Sequence, residues 1–259
     1  MYKHLVMRKW LLLILLPILS CGRHSPFNEY RETLVVYSML SPSQKLQQVF
    51  VDKTYAMTDT AGEGGLSGAK VIVWGALTND SVFFEEVHDS AGLYQDTLDS
   101  VWVKPLTTYN LTVIYESDTV RAEVTTVDTF NILSLNNGDT VNLDNPPPLI
   151  WSHSQGTKIY SIRPVISGDT TAIGLFIPLA TTDTSINLFS YRKTYFDSTT
   201  WYTIRVVGLD EGASNYFTMI GGETRIDTLD GGIGLFGSFA TDTVKVYVTS
   251  SKNKSNLES

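Results

Sequence analysis

Along most of this chain apolar residues recur at every second position in short runs, and Asn, Asp, Ser, Gly or Pro separates one run from the next. Tyr109, Leu111, Val113 and Tyr115 alternate with Asn110, Thr112 and Ile114, and Val120, Ala122 and Val124 alternate with Arg121, Glu123 and Thr125. A period of two predicts strands with one buried and one wet face. No long stretch shows helical spacing. The first half predicts strands at Leu34 to Leu40, Gln47 to Met57, Ala69 to Gly75, Ser81 to Val87, Gly92 to Leu98, Tyr109 to Tyr115 and Thr119 to Thr126. Thr58 to Gly68, with its four glycines, reads as a loop.

The second half repeats the pattern at Leu149 to Ser152, Lys158 to Ile166, Ala172 to Ala180, Ser185 to Phe189, Trp201 to Gly208, Asn215 to Ile220 and Thr243 to Thr249. Between the halves, residues 131–145 are rich in Asn, Asp and Gly and run into Pro146, Pro147 and Pro148, which favour an extended segment. The expectation is an all-β chain of two consecutive β-sandwich domains, residues 33–130 and 146–250. Residues 131–145 would be the linker and 251–259 a polar tail. One continuous larger sandwich would show the same strand pattern.

The N-terminus breaks the alternation. Lys3, His4, Arg8 and Lys9 precede the apolar run Trp10 to Leu19, whose ten residues fall short of the roughly 20 that span a bilayer. Residues 1–20 therefore read as a signal peptide. The following Ile18-Leu19-Ser20-Cys21 resembles the lipobox of bacterial lipoproteins. The resemblance implies cleavage before Cys21 and a diacylglycerol thioether on its thiol, with residues 21–32 as a lipidated tether. Two or three acyl chains anchor stably, because each buried CH₂ contributes roughly 0.8 kcal/mol and one chain alone is marginal. Cys21 is the sole cysteine, so no intramolecular disulfide can form.

Two further resemblances concern the sandwiches. Gly68-Ala69-Lys70-Val71-Ile72-Val73, Asp89-Ser90-Ala91-Gly92-Leu93-Tyr94 and Val103-Lys104-Pro105-Leu106-Thr107-Thr108-Tyr109 are similar to the signature strands of Ig-like domains of the carboxypeptidase-regulatory type. Pro148-Leu149-Ile150-Trp151 and Tyr202-Thr203-Ile204-Arg205-Val206 look like fibronectin type III strands, which implies a core tryptophan and a tyrosine at a corner. With the lipobox and the closing Gly231 to Ser238, the chain resembles a family of Bacteroidota lipoproteins that accompany outer-membrane receptors. That resemblance implies an outer-membrane lipid anchor, with the membrane face left open.

Charge narrows the partners. The chain has 19 basic and 27 acidic side chains, net −8, and loss of residues 1–20 removes Lys3, Arg8 and Lys9, leaving 16 against 27, net −11. Such a surface disfavours nucleic acid and anionic headgroups, so the membrane is held through acyl chains.

Candidate chemistry is sparse. Gly232-Ile233-Gly234-Leu235-Phe236-Gly237 spells G-x-G-x-x-G, but a strand, not a helix, follows it. The expectation is a Gly-rich turn that lets backbones approach, not a nucleotide loop. His24, His88 and His153 lack a second ligand at metal spacing, and no G-x-S-x-G elbow occurs. Neither a catalytic residue, a metal site nor a cofactor is expected. Acidic pairs stand at Glu85-Glu86, Asp96 with Asp99, and Asp227 with Asp230, where a loop could take Ca²⁺ or, in a hydrolase, the fold could assemble a catalytic pair.

The aromatic group Tyr191, Tyr195, Phe196 and Trp201, with Tyr202, Arg192 and Lys193 nearby, is the candidate ligand surface for a sugar or protein partner. The alternative is that these rings alternate into the second core, where Trp151 is also expected, as are Trp74 and Trp102 in the first. The leading expectation is a lipid-anchored, non-catalytic envelope protein that binds or assembles. A lipid-anchored hydrolase of glycans or peptides, and a purely structural spacer, are the alternatives.

Overall fold

The computed structural model describes residues 30–56, 64–75, 81–168, 179–191, 195–196, 199–217 and 227–249. The expected signal peptide, Cys21 and most of the tether lie outside these residues, as do the polar tail and most of the strand expected at Ala172 to Ala180.

Seven strands build the first sandwich: β1 (Leu34–Leu40), β2 (Gln48–Lys53), β3 (Lys70–Gly75), β4 (Ser81–Glu86), β5 (Leu93–Asp96), β6 (Thr108–Tyr115) and β7 (Asp118–Thr125). They hydrogen-bond in the order β1-β2-β5-β4-β3-β6-β7, every pair antiparallel. The alternation seen in the sequence is the burial pattern: Val36, Val49, Val51, Val73, Val113 and Val120 are fully buried in one cluster. β-Branched side chains suit such half-buried pleats.

The second set is β8 (Thr140–Asn142), β9 (Leu149–Ile150), β10 (Ile159–Ile166), β11 (Leu179–Thr181), β12 (Ser185–Ile186), β13 (Thr200–Leu209), β14 (Asp227–Leu229) and β15 (Gly232–Thr249). β11, β10, β13 and β15 pair in that order, β8 lies parallel to the end of β15, and β9 with β12 forms a separate two-stranded sheet. A second core of Trp151, Tyr160, Ile162, Leu188, Phe189, Tyr202, Ile204 and Val246 fills the space between. The chain is an all-β sandwich protein with two cores.

Three expectations are corrected. The glycine segment is not a turn: it is the first third of β15, an 18-residue strand whose residues 233–238 run parallel to β1 and whose residues 239–248 run antiparallel to β13. Glycine permits this because a Cβ on Gly234, at φ +135°, would lie 2.0 Å from the Val36 carbonyl oxygen. Of the strand expected at Asn215 to Ile220, the described residues Asn215 to Phe217 are helical instead. Residues Glu211–Phe217 form a short helix, capped by Asp210, whose Oδ1 accepts the Ala213 N–H at 2.8 Å. The linker expected at 131–145 carries β8, and its Leu135, Val141 and Leu143 enter the second core.

β15 joins the two halves. Its even positions face inward throughout, giving Phe236 to the first core and Ala240, Val244, Val246 and Val248 to the second. Its start folds back through β14, and Asp230 there exchanges backbone hydrogen bonds with Arg121 of β7 at 2.8 and 3.1 Å. This bridge links the last strand of the first sandwich back to the strand beside its first. A smaller apolar cluster of Val207, Leu209, Ala213, Met39, Phe217 and Phe239 seals the joint under the helix.

Candidate functional site

The candidate aromatic group divides at β13, where alternation sends neighbours to opposite faces. Tyr202 points inward and is 1% exposed, while Trp201 points outward and is 39% exposed. Phe196 is corrected as a ligand residue: it is buried at 4% and packs at 5.0 Å against both Phe189 and Tyr202. Tyr195 lies half-buried against the second core, and Tyr191 is exposed at the end of the 3-10 turn Leu188–Tyr191. Arg192 and Lys193 lie outside the described residues. The four residues therefore do not form one platform.

What Trp201 does join is a different set. Its ring lies 5.3 Å from Tyr247 across the β13–β15 pair, and Lys245 Nζ sits 5.4 Å from its centroid. The cation over the ring face contributes about 0.5–1 kcal/mol at an exposed site. Register extends the patch over three strands: Arg163 of β10 stands opposite Arg205 of β13 and beside Thr243 of β15, and Val165, Thr203 and Lys245 form the next row. Arg205, Thr243 and Lys245 are exposed, and Arg163, Val165, Thr203 and Tyr247 are half-buried. Alternation along the sequence marks all three strands but not the patch. Alternation gives each strand's outward residues, but only the inter-strand register makes Arg163, Arg205 and Lys245 neighbours.

A second concave surface lies at the joint, on the same side of β15. Leu235 and Phe239 of that strand, Tyr37 and Met39 of β1, Phe50 of β2 and Tyr216 of the helix line a mostly apolar groove of about 370 Å³. Tyr37 and Tyr216 meet edge to face at 5.6 Å. Burial, reinforced by the hydrogen bond and charge repulsion from Tyr37, pushes the Tyr216 hydroxyl far above the usual phenol range.

Some of the acids paired in the sequence make structural contacts among the described residues. Asp96 is 2% exposed and accepts hydrogen bonds from the Gln47 N–H (2.6 Å), the Leu98 N–H (3.0 Å) and Trp102 Nε1–H (3.1 Å). Asp99 is exposed and faces Lys45 at 3.5 Å. Glu86 accepts the Gly68 N–H at 3.1 Å, and a hydrogen bond from Ser67, with weaker ones from backbone N–H groups, lowers its pKa against a small opposing desolvation. Asp230 gives its backbone to the Arg121 bridge. His88 is exposed beside Asp89, at 2.7 Å, and His153 is exposed. Among the described residues no three His, Cys, Asp or Glu side chains converge as metal ligands.

The other tryptophans separate too. Trp151 is in the second core, as expected. Trp102 is half-buried at the edge of the first core, edge to face with Phe84 and Tyr109. Trp74 is corrected: it is half-exposed on the outward side of β3, opposite in phase to the buried Val71 and Val73.

No family model matches the chain, and no curated protein matches. Among solved structures, the chain is similar to the titin domains Z1Z2 in complex with telethonin (11% identity, 87% of this chain and 100% of that one, TM-score 0.23). It is similar to fibronectin(III)-like modules of Clostridium thermocellum CbhA (10%, 86% and 96%, TM-score 0.25) and to chicken CNTN1 domains FN1–FN3 (12%, 82% and 68%, TM-score 0.26). At TM-scores this low the likenesses carry no argument, and the sandwich architecture rests on the strand registers and the two cores.

Proposed function

We propose that this chain is a lipid-anchored, non-catalytic protein of the bacterial cell envelope, held in the outer membrane by acyl chains on Cys21 and serving as a binding module. The observation that carries the binding role is the outward face of the second sandwich. There Trp201, Tyr247 and Lys245 sit together in partial exposure although the same strands bury Tyr202, Val244 and Val246. An exposed aromatic platform offers a large apolar area at small conformational cost, which suits recognition. The lipobox supports the anchor. An accessory role beside an outer-membrane receptor belongs to the same reading.

The shared strand supports presentation of that face at a set distance from the membrane. β15 is hydrogen-bonded into both sandwiches, and the helix cluster packs over the change of partner. A flexible linker would let the second sandwich swing.

The test is intact mass and membrane fractionation of the wild type and Cys21→Ala in a bacterial host, with Trp201→Ala carried in parallel through cross-linking on whole cells. The expected result is a wild type cleaved before Cys21 and acylated, an unprocessed Cys21→Ala, and a Trp201→Ala that stays anchored but loses cross-linked partners. An unmodified N-terminus in the wild type would sink the anchor. Cross-linking unaffected by Trp201→Ala would leave the sandwiches as spacers.

A further inference from the structure

We infer that the outward face of β10, β13 and β15 binds an anionic polysaccharide carrying a carboxylate on each sugar, an inference that rests on the binding role proposed above. The face has a charge opposite to that of the molecule. The mature chain is net −11 by count, yet the outward positions of these three strands hold Arg163, Arg205 and Lys245 and no acid. Arg163 and Arg205 are direct cross-strand partners. Arg205 forms no ion pair among the described residues.

The spacing selects a polymer of sugars. Each of the three neighbouring strands contributes one cation, and hydrogen-bonded strands lie about 4.8 Å apart, the size of one pyranose repeat. Arg163 and Arg205 share one row and Lys245 stands in the next, so a chain crossing the strands obliquely would meet one cation on each strand. One row beyond Lys245 and two beyond the arginines, Trp201 and Tyr247 lie 5.3 Å apart and offer ring faces to the apolar faces of the sugars. Thr203 and Thr243, on the same face, supply hydroxyl donors and acceptors. Guanidinium groups favour planar, bidentate contact with carboxylates. A phosphate-backbone polymer would use the cations but has no requirement for two aromatic rings beside hydroxyls. A neutral glycan would use the rings but neither Arg205 nor Lys245.

The experiment is calorimetric titration of the detergent-solubilised, full-length processed protein with oligogalacturonate of defined length. The carboxyl-reduced oligomer of equal length serves as the neutral probe, and a poly-dT oligonucleotide as the phosphate probe. The expected result is binding of oligogalacturonate that weakens as salt rises, and at least about tenfold weaker binding of both other probes. Trp201→Ala and Arg205→Gln should each lower affinity by about tenfold or more, and Arg205→Gln should also flatten the salt dependence. Both side chains point outward, so circular dichroism and the melting temperature should stay near wild type. Lys104→Gln, on the first sandwich, should bind as wild type does.

Equal binding of the carboxyl-reduced oligomer, with loss in Trp201→Ala, would overturn the anionic assignment and leave the binding role intact. Preferential binding of poly-dT would overturn the glycan assignment. Absence of binding to all three probes, with Trp201→Ala still losing its cross-linked partners on cells, would overturn it in favour of a protein partner. If that variant also kept its cross-links, the binding role would fall as well.

Discussion

Ser238 Oγ accepts the Val127 backbone N–H at 3.1 Å, across 111 residues of chain, and both residues are fully buried. The backbone of the same serine makes two hydrogen bonds with Asp210: its N–H donates to the side-chain Oδ2 and its carbonyl accepts the Asp210 N–H, each at 3.0 Å. Ser238 is the last residue of β15 paired with β1, and Phe239 is the first paired with β13. One residue therefore ties the exit of the first sandwich, the helix cap and the strand shared by both cores.

Ser238→Ala should cost about 1–3 kcal/mol, because it leaves the Val127 N–H buried without an acceptor. β15 lies in both sheets, so urea unfolding should show one transition whose midpoint falls. Two transitions, with only one of them displaced, would show that the sandwiches are not coupled through this strand.

Gly234→Ala should be far more damaging than Ser238→Ala. The added methyl would have to occupy space 2.0 Å from the Val36 carbonyl oxygen, at a φ that side chains rarely adopt. Loss of soluble, cooperatively melting protein is expected. A variant that melts within about 2 °C of wild type would refute the close parallel pairing of β15 with β1.

Two tyrosines close corners with their hydroxyls: Tyr109 OH accepts the Lys104 N–H at 2.9 Å, and Tyr160 OH accepts the Ser154 N–H at 2.8 Å. Tyr109→Phe and Tyr160→Phe should each lower stability by about 1–2 kcal/mol, with nearly additive effects because the residues sit in different cores. Chemical denaturation of the singles and the double measures both quantities. A double mutant much less stable than the sum would indicate coupling that separate cores do not provide.

Tyr216 introduces an alkaline limb. Its folded pKa is raised, so its contribution to stability is complete below the ordinary phenol value near 10 and is lost as pH rises from there toward the folded value. Melting temperatures followed from pH 8 to 11 should fall more steeply for wild type than for Tyr216→Phe. Parallel curves would place the Tyr216 hydroxyl in water.

Glu86 acts at the opposite end of the scale. Its folded pKa is lowered, so its contribution is present above the unfolded value and is lost as pH falls through the folded one. The carboxylate is exposed and the effect small, so Glu86→Gln should weaken the acid dependence of melting slightly, in the same direction as Ser67→Ala. A steeper acid dependence in either variant would contradict the Ser67 contact.

Period-two alternation made β1, β3, β6, β7 and β13 readable from the residues alone, because burying one face of a strand is a local pattern in the sequence. The split of Trp201 from Tyr202 was readable in the same way. The helix at Glu211–Phe217 was not, since it is about two turns, capped by Asp210 and fixed by packing of Ala213 at the joint. β15 was half readable: Val244, Val246 and Val248 alternate, but Gly232, Gly234 and Gly237 carry no side-chain signal and look like a turn until β1 lies beside them.

The residues by themselves determined that this is a β-rich chain with strands in two clusters, preceded by a short basic stretch and a ten-residue apolar run. Tertiary structure decided which strand serves both cores, which rings stay outside, and which cations meet. Strand identity follows from local periodicity. Register and parallel pairing between residues as distant as Val35 and Ile233 depend on how separate segments pack, and no local pattern encodes that.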